Sequence, residues 1–172
     1  MLVGGSGLIG GIARVLNDEG VELVDSTLLL KDLLATEGTL TRRKLTADEA
    51  KDIEYGRKVA STLAGIDVGQ SVAIADRACV AVEAMEGTDA MLRRAASLVE
   101  GKPLRLVKAS RLRKHMLFDV PVAGPQTIDI MRDTGTTALA IDATRTLLID
   151  RDEILARADA AGIAIASYLP EE

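Results

Sequence analysis

The sequence predicts an α/β fold: a single compact domain with a mixed, partly parallel sheet flanked by helices. Three observations carry this. Short, near-continuous apolar runs, such as Leu104 to Lys108, Thr136 to Ile141 and Ile163 to Tyr168, read as strands covered on both faces. Longer segments with helical spacing and recognisable end signals alternate with them. The 172 residues suffice for one ordinary core, and no internal repeat or low-complexity linker divides them.

At the N-terminus, Gly5, Gly7 and Gly10 match the dinucleotide fingerprint. A helical pattern follows to Gly20, and Asp25 stands about twenty residues beyond the first glycine. Only Met1 to Val3 precede the glycines, which is short for a strand. The expected reading is a glycine-rich lead into an amphipathic helix; a nucleotide-binding loop is the alternative. Thr27 to Leu34 reads as a short leucine-rich helix, closed by the loop around Gly38. Arg42, Arg43 and Lys44 make a basic patch, either a solvated face or a contact for an anionic ligand.

Thr46-Ala47-Asp48-Glu49 has the capping-box pattern and opens a helix to about Ala64, with Gly65 as its stop. Gln70 to Asp76 and Cys79 to Met85 read as a hairpin joined tightly at Arg77 and Ala78. Gly87 allows a sharp turn, and Thr88 is expected to cap a helix from Asp89 to Glu100 that ends at Gly101 and Pro103. The strand Leu104 to Lys108 follows, expected to carry Arg105 and Lys108 on one face. Gln126 to Arg132 is a helix, and Thr136 to Ile141 and Thr146 to Ile149 are strands. Asp150 caps a helix to Ala161, and Ile163 to Tyr168 closes the chain as a strand.

Composition narrows the function. One Phe, two Tyr and no Trp leave an aliphatic core and no stacking platform for single-stranded nucleic acid. A net charge of −5 gives no global attraction for DNA, so nucleic acid is not an expected partner. The single cysteine, Cys79, rules out an internal disulfide and reads as a small buried hydrophobe in a reducing cytoplasm. No signal peptide is visible, and no stretch approaches the roughly 20 apolar residues of a membrane span. The expectation is a cytoplasmic protein, with peripheral contact at the inner membrane surface left open.

The chemistry-bearing stretch runs from Asp76 to Arg94. It holds Asp76, Glu83, Glu86 and Asp89 and closes on Arg93 and Arg94. A strand that turns at a glycine into a helix presents free N–H groups and a positive dipole end. Carboxylates beside it can hold a metal, and the N–H groups can face a phosphate; the plain alternative is a helix cap with solvated acids. The second notable stretch, Ser110 to Pro125, is irregular. It carries Arg111, Arg113, Lys114, His115, Phe118 and Asp119, and a basic, proline-bearing loop in an aliphatic domain is usually functional or mobile.

Several motifs in order, among them D-S-T-L-L-L-K-D-L-L-A, E-G-T-L-T-R-R, D-I-E-Y-G-R-K, I-D-V-G-Q-S-V, V-A-V-E-A-M-E-G-T-D-A-M and F-D-V-P-V-A-G, resemble one family. It is the UDP-2,3-diacylglucosamine diphosphatase of lipid A biosynthesis, in the form that lacks the metallophosphoesterase fold. The resemblance covers about Leu8 to Tyr168, with E-G-T-D-A and F-D-V-P the most specific. It is to the C-terminal catalytic half, so residues 1–172 are expected to be that single domain, without the family's N-terminal Rossmann-like domain.

The resemblance implies magnesium-assisted hydrolysis of UDP-2,3-diacylglucosamine to UMP and 2,3-diacylglucosamine 1-phosphate. Under it, Asp119 and Asp89 are the expected catalytic residues, and Glu86, Asp89 and Asp119 the expected metal ligands. Gln70, Thr88, Arg93, Lys108 and Arg111 are the expected substrate contacts, with Arg113 a further candidate for the pyrophosphate. His115 is either a general base or a solvated loop histidine. The leucines from Leu28 to Leu34 either meet acyl chains or belong to the core, and a homodimer stays open. The alternative function is a nucleotide-sugar or dinucleotide-binding module that uses Gly5, Gly7 and Gly10 without hydrolysis.

Overall fold

The computed structural model describes residues 8–22, 24, 27–110 and 120–170, without the side chains of residues 8–10 and 13. The elements run α1 (Leu8–Asp18), β1 (Gly38–Thr39), α2 (Ala47–Gly65), β2 (Ser71–Ala75), β3 (Ala78–Val82), α3 (Thr88–Leu98) and β4 (Leu104–Lys108). After them come β5 (Val122–Ala123), α4 (Pro125–Asp133), β6 (Thr136–Asp142), β7 (Leu147–Leu148), α5 (Arg151–Ala161) and β8 (Ala164–Tyr168). Six strands form one mixed sheet in the order β1-β8-β6-β4-β2-β3. β4, β6 and β8 are parallel to one another, while β1, β2 and β3 run antiparallel to their neighbours. The predicted α/β fold with a partly parallel sheet is the one observed.

Apolar side chains leave both faces of the sheet because both are covered. On one face Val72, Ile74, Val107, Ala138, Ala140 and Ala164 pack with Ile53 and Ala60 of α2. α2 lies close because Gly56 faces the sheet: a Cβ there would stand 2.7 Å from Val107 Cγ2 and 2.8 Å from Ile74 Cγ1. On the other face Leu104, Leu106, Leu139, Ile141 and Ile165 meet Met91 and Leu92 of α3, Ile128 and Met131 of α4, and Ile154 and Ala158 of α5. β5 and β7 form a separate two-stranded parallel ladder.

The α2 capping box is present: Thr46 Oγ1 accepts from Glu49 N at 3.2 Å, and Glu49 Oε2 accepts from Thr46 N at 2.8 Å. The β2–β3 hairpin turns at Asp76 and Arg77, both with positive φ, the backbone a two-residue hairpin loop of type I′ requires. Arg77 N donates to Asp52 of α2 at 2.7 Å, which ties the turn to the helix.

Four expectations are corrected. The leucine-rich segment before Ala35 is no α-helix; only Lys31–Leu33 coils, as one 3-10 turn, and Leu29 is 92% exposed. Three adjacent leucines cannot share the stripe a helix would bury. The second strand of the hairpin stops at Val82, and Met85 is fully exposed. The N-cap of α3 is Gly87 rather than Thr88, which is its first residue. Finally, Arg105 and Lys108 lie on opposite faces, because three positions is an odd step in a strand whose side chains alternate. Arg105 pairs with Asp52 of α2 at 3.3 Å, whereas Lys108 reaches α3.

Candidate active site

The C-terminal edge of β4 gathers polar groups that the core does not otherwise use. Lys108 ends the strand, in register with Ser71 of β2 on one side and Ile141 of β6 on the other. Its side chain follows the face of Leu104 and Leu106 towards the start of α3. It is only 8% exposed, and its Nζ donates to Thr88 Oγ1 at 2.9 Å. Thr88 Oγ1 donates in turn to Glu83 Oε1 at 2.8 Å, and Ser71 Oγ lies 3.4 Å from the same hydroxyl. Burial pushes the Lys108 ammonium below the ordinary lysine value, and the charges of Glu83 and Asp89 pull it back up.

Two helix N-termini meet beside this lysine. Gly87, at φ 83°, lets the chain turn sharply from β3 into α3, and no side chain caps the first turn. The leading N–H groups of α3 are therefore available to an anion, with the positive end of the helix dipole behind them. α4 begins at Pro125 after Gly124, which has no side chain to cap with. Gln126 Nε2 donates to Asp89 Oδ2 at 3.2 Å and ties the first turns of the two helices together.

The edge continues at Ser110 and Asp142. Asp142, buried at the end of β6, accepts from Ser110 N at 2.6 Å and from Ser110 Oγ at 2.8 Å. Arg57, Ser61 and Pro170 close a small cavity beside them of about 10 Å³, room for about one water molecule.

Of the expected site residues, Lys108, Thr88 and Asp89 come together here, with Gln70 at the same edge through its carbonyl, which accepts from Ala109 N at 2.9 Å. Arg93 is exposed on α3 and held by no ion pair among the described residues. Glu86 is spoken for: it forms an ion pair with Arg94, whose hydrogen bond and charge hold the Glu86 carboxyl below its ordinary value. Arg94 also donates to the Val82 carbonyl at 3.0 Å. Asp119, Arg111, Arg113 and His115 lie outside the described residues, as do Gly5, Gly7 and Asp25. Gly10 falls inside α1, and no described strand precedes that helix.

Arg43 of the basic patch serves the fold. It makes a two-pronged pair with Glu49 at 2.8 and 2.9 Å and donates to the Thr137 carbonyl. Arg42 pairs with Asp159 at 3.3 Å. Glu83 was visible among the acids of the central stretch but carried no signal of its own. What could have marked it is Gly69 in I-D-V-G-Q-S-V, a glycine just before a strand that signals close backbone approach. Among the described residues no group of three His, Cys, Asp or Glu side chains is placed to hold a metal ion. Nor is any described helix long and apolar enough to cross a membrane.

Residues 36–166 match the profile of the LpxI C-terminal domain. The chain belongs to that family. A protein of Caulobacter vibrioides named UDP-2,3-diacylglucosamine pyrophosphatase LpxI is 31% identical, over an alignment that covers 94% of this chain and 61% of the relative. The chain thus spans about three-fifths of that relative's length. The matched part of the LpxI C-terminal domain takes in the whole Lys108, Thr88 and Glu83 cluster and both converging helices, while α1 lies ahead of it.

Proposed function

We propose that the edge of β4 is the phosphate end of an active site that hydrolyses UDP-2,3-diacylglucosamine to UMP and 2,3-diacylglucosamine 1-phosphate, a step of lipid A biosynthesis. The observation that carries the reading is Lys108. A nearly buried ammonium with one hydrogen bond among the described residues keeps two N–H donors for a ligand, at the uncapped start of α3. Cations and oriented N–H groups are what a pyrophosphate requires, since catalysis of phosphoryl transfer is mainly positioning and charge stabilisation. The similarity to a named UDP-2,3-diacylglucosamine pyrophosphatase supplies the substrate class.

In this reading a water oxygen bonds to one phosphorus as the bridging P–O bond breaks. The proton leaves with solvent or a carboxylate, and attack at either phosphorus gives the same two products. Lys108 holds oxygens of the pyrophosphate, and the α3 N–H groups face them. Exposed Arg93, together with Gln70 and Arg111, is assigned to the outer part of the substrate. Asp119 is the proposed catalytic carboxylate, with Asp89 beside the phosphate.

Magnesium fits this donor set in part. It takes one or two carboxylates and keeps several waters, so Asp89 with Asp119 would suffice to hold it. Glu86 would join only by releasing Arg94. When bound, the ion would neutralise charge on the phosphate oxygens. The acyl chains call for an apolar surface at the membrane boundary. We assign them to Leu28 and Leu29, which are 50% and 92% exposed.

The test is Lys108→Met in the full chain, assayed with UDP-2,3-diacylglucosamine with and without magnesium after chelation. Met fills the buried site without a charge, so the fold should hold while kcat/KM falls by about 10² or more, as for removal of a group that stabilises developing charge. Activity should return to the chelated wild-type protein when magnesium is added. An unchanged kcat/KM in the variant refutes the site.

A further inference from the structure

We infer that Glu83 is a positioning residue for this site: by accepting the hydrogen bond of the Thr88 hydroxyl it leaves the lone pairs of that oxygen to accept from Lys108, and Gly69 is the opening that lets Glu83 stand there. The inference rests on the reading above, in which Lys108 meets the pyrophosphate.

The direction of the chain of hydrogen bonds is forced by its members. Lysine has only donors, an ionised carboxylate only acceptors, and a threonine hydroxyl one proton with two lone pairs. Nζ of Lys108 lies 2.9 Å from Thr88 Oγ1, and Glu83 Oε1 lies 2.8 Å from it. Lys108 therefore donates to Thr88 and Thr88 donates to Glu83. While this holds, the Thr88 hydroxyl has no proton to offer a phosphate oxygen. Its service is to Lys108, whose two remaining N–H groups are aimed by the one that is fixed. Glu83 also places a negative charge, across Thr88, near a cation that burial disfavours, and this charge opposes the effect of burial.

The backbone of Glu83 is held with equal care. Its N–H donates to the Ser71 carbonyl at 2.9 Å. A Cβ on Gly69 would stand 1.9 Å from the Glu83 carbonyl oxygen and 2.8 Å from its carbonyl carbon. No side chain fits there, and the obstacle is main chain, which cannot rotate out of the way. Gly69 is thus required for space. It seats the end of β3 against the entry to β2, and this sets Glu83 opposite Thr88.

The experiment is a double-mutant cycle on kcat/KM in the full chain, using UDP-2,3-diacylglucosamine, with melting temperatures measured alongside. Glu83→Ala is expected to lower kcat/KM about tenfold or more, and Glu83→Gln, which keeps an acceptor oxygen, to recover part of that loss. In a Lys108→Met background Glu83→Ala should change nothing further, because the group it positions is gone. Gly69→Ala should reproduce the Glu83→Ala loss and likewise add nothing to Lys108→Met. If Lys108→Met lowers kcat/KM and Glu83→Ala multiplies with it, Glu83 does not act through Lys108. The inference then falls while the site stands. If Lys108→Met leaves kcat/KM unchanged, the site reading fails and takes the inference with it.

Discussion

Acid should loosen this domain chiefly through the buried Glu49. Its carboxylate is buried at the start of α2 and fully engaged. Oε2 accepts from Thr46 N and Arg43 Nη1, both at 2.8 Å, and Oε1 accepts from Arg43 Nη2 at 2.9 Å and Thr137 Oγ1 at 2.6 Å. Burial alone would raise its pKa. The hydrogen bonds from Arg43, Thr137 and Thr46, with the Arg43 charge, outweigh burial and bring it from 4.5 to about 2. A carboxyl with a depressed folded pKa stabilises fully above its unfolded value and loses that contribution as pH falls through the folded one. The window is therefore about pH 4.5 down to about pH 2. At roughly 1.4 kcal/mol per tenfold change in proton affinity, the ceiling is about 3 kcal/mol. The Arg43 side chain is 31% exposed, and screening there reduces the expected figure to about 2 kcal/mol. Urea unfolding of wild type and Glu49→Gln, followed by circular dichroism from pH 6 to pH 2, measures this. The variant should be less stable at pH 6, and the gap should close as pH falls. A gap that stays constant across that range refutes the assignment.

Two further substitutions test the layers that carry the site. Gly56→Ala should lower stability by about 1–3 kcal/mol, because the new methyl meets the branched side chains of Val107 and Ile74. The helix-propensity gain of about 1 kcal/mol would dominate if α2 did not lie close, and a raised melting temperature would show that. Arg105→Met should cost about 3–5 kcal/mol, since it leaves the buried Asp52 with only the Arg77 N–H. Adding Asp52→Leu should recover most of the loss; a single variant within 1 kcal/mol of wild type would make the pair dispensable.

The fold was legible where local chemistry and burial agree. The Thr46 capping box, the hairpin and the strands that begin at Leu104, Thr136 and Ala164 all follow from neighbours in sequence. What was hidden depends on residues far apart. Arg43 reads as a solvated cation until Glu49 and the Thr137 carbonyl are brought to it. Thr88 reads as a cap because a hydroxyl before a helix usually caps; Lys108 and Glu83 compete for it and win. The strand 104–108 is legible, but Arg105 and Lys108 stand three positions apart and so serve different helices. For the site, the E-G-T-D turn marks the helix terminus beside which Lys108 lies. The partners of its acids could not be read from it, since Gln126 is 37 positions from Asp89.

The margins of the sheet bear on whether a second chain could pair with it. A strand with open N–H and C=O groups is a template for another chain, and crowded solutions exploit it. On the β8 side only Gly38 and Thr39 pair as a strand. Beyond them the Leu40 N–H donates to the Ile165 carbonyl at 2.9 Å and the Thr41 hydroxyl accepts the Ile165 N–H at 2.9 Å, so the ladder is finished by a turn of chain and a side chain. On the β3 side the Val82 carbonyl is taken by Arg94, and the Cys79 thiol lies 3.7 Å from the Ala81 carbonyl. Among the described residues, the β1 margin is only two residues long and the β3 margin has its last carbonyl engaged. Edge-to-edge pairing would therefore meet a very short strand on one side and a partly engaged one on the other.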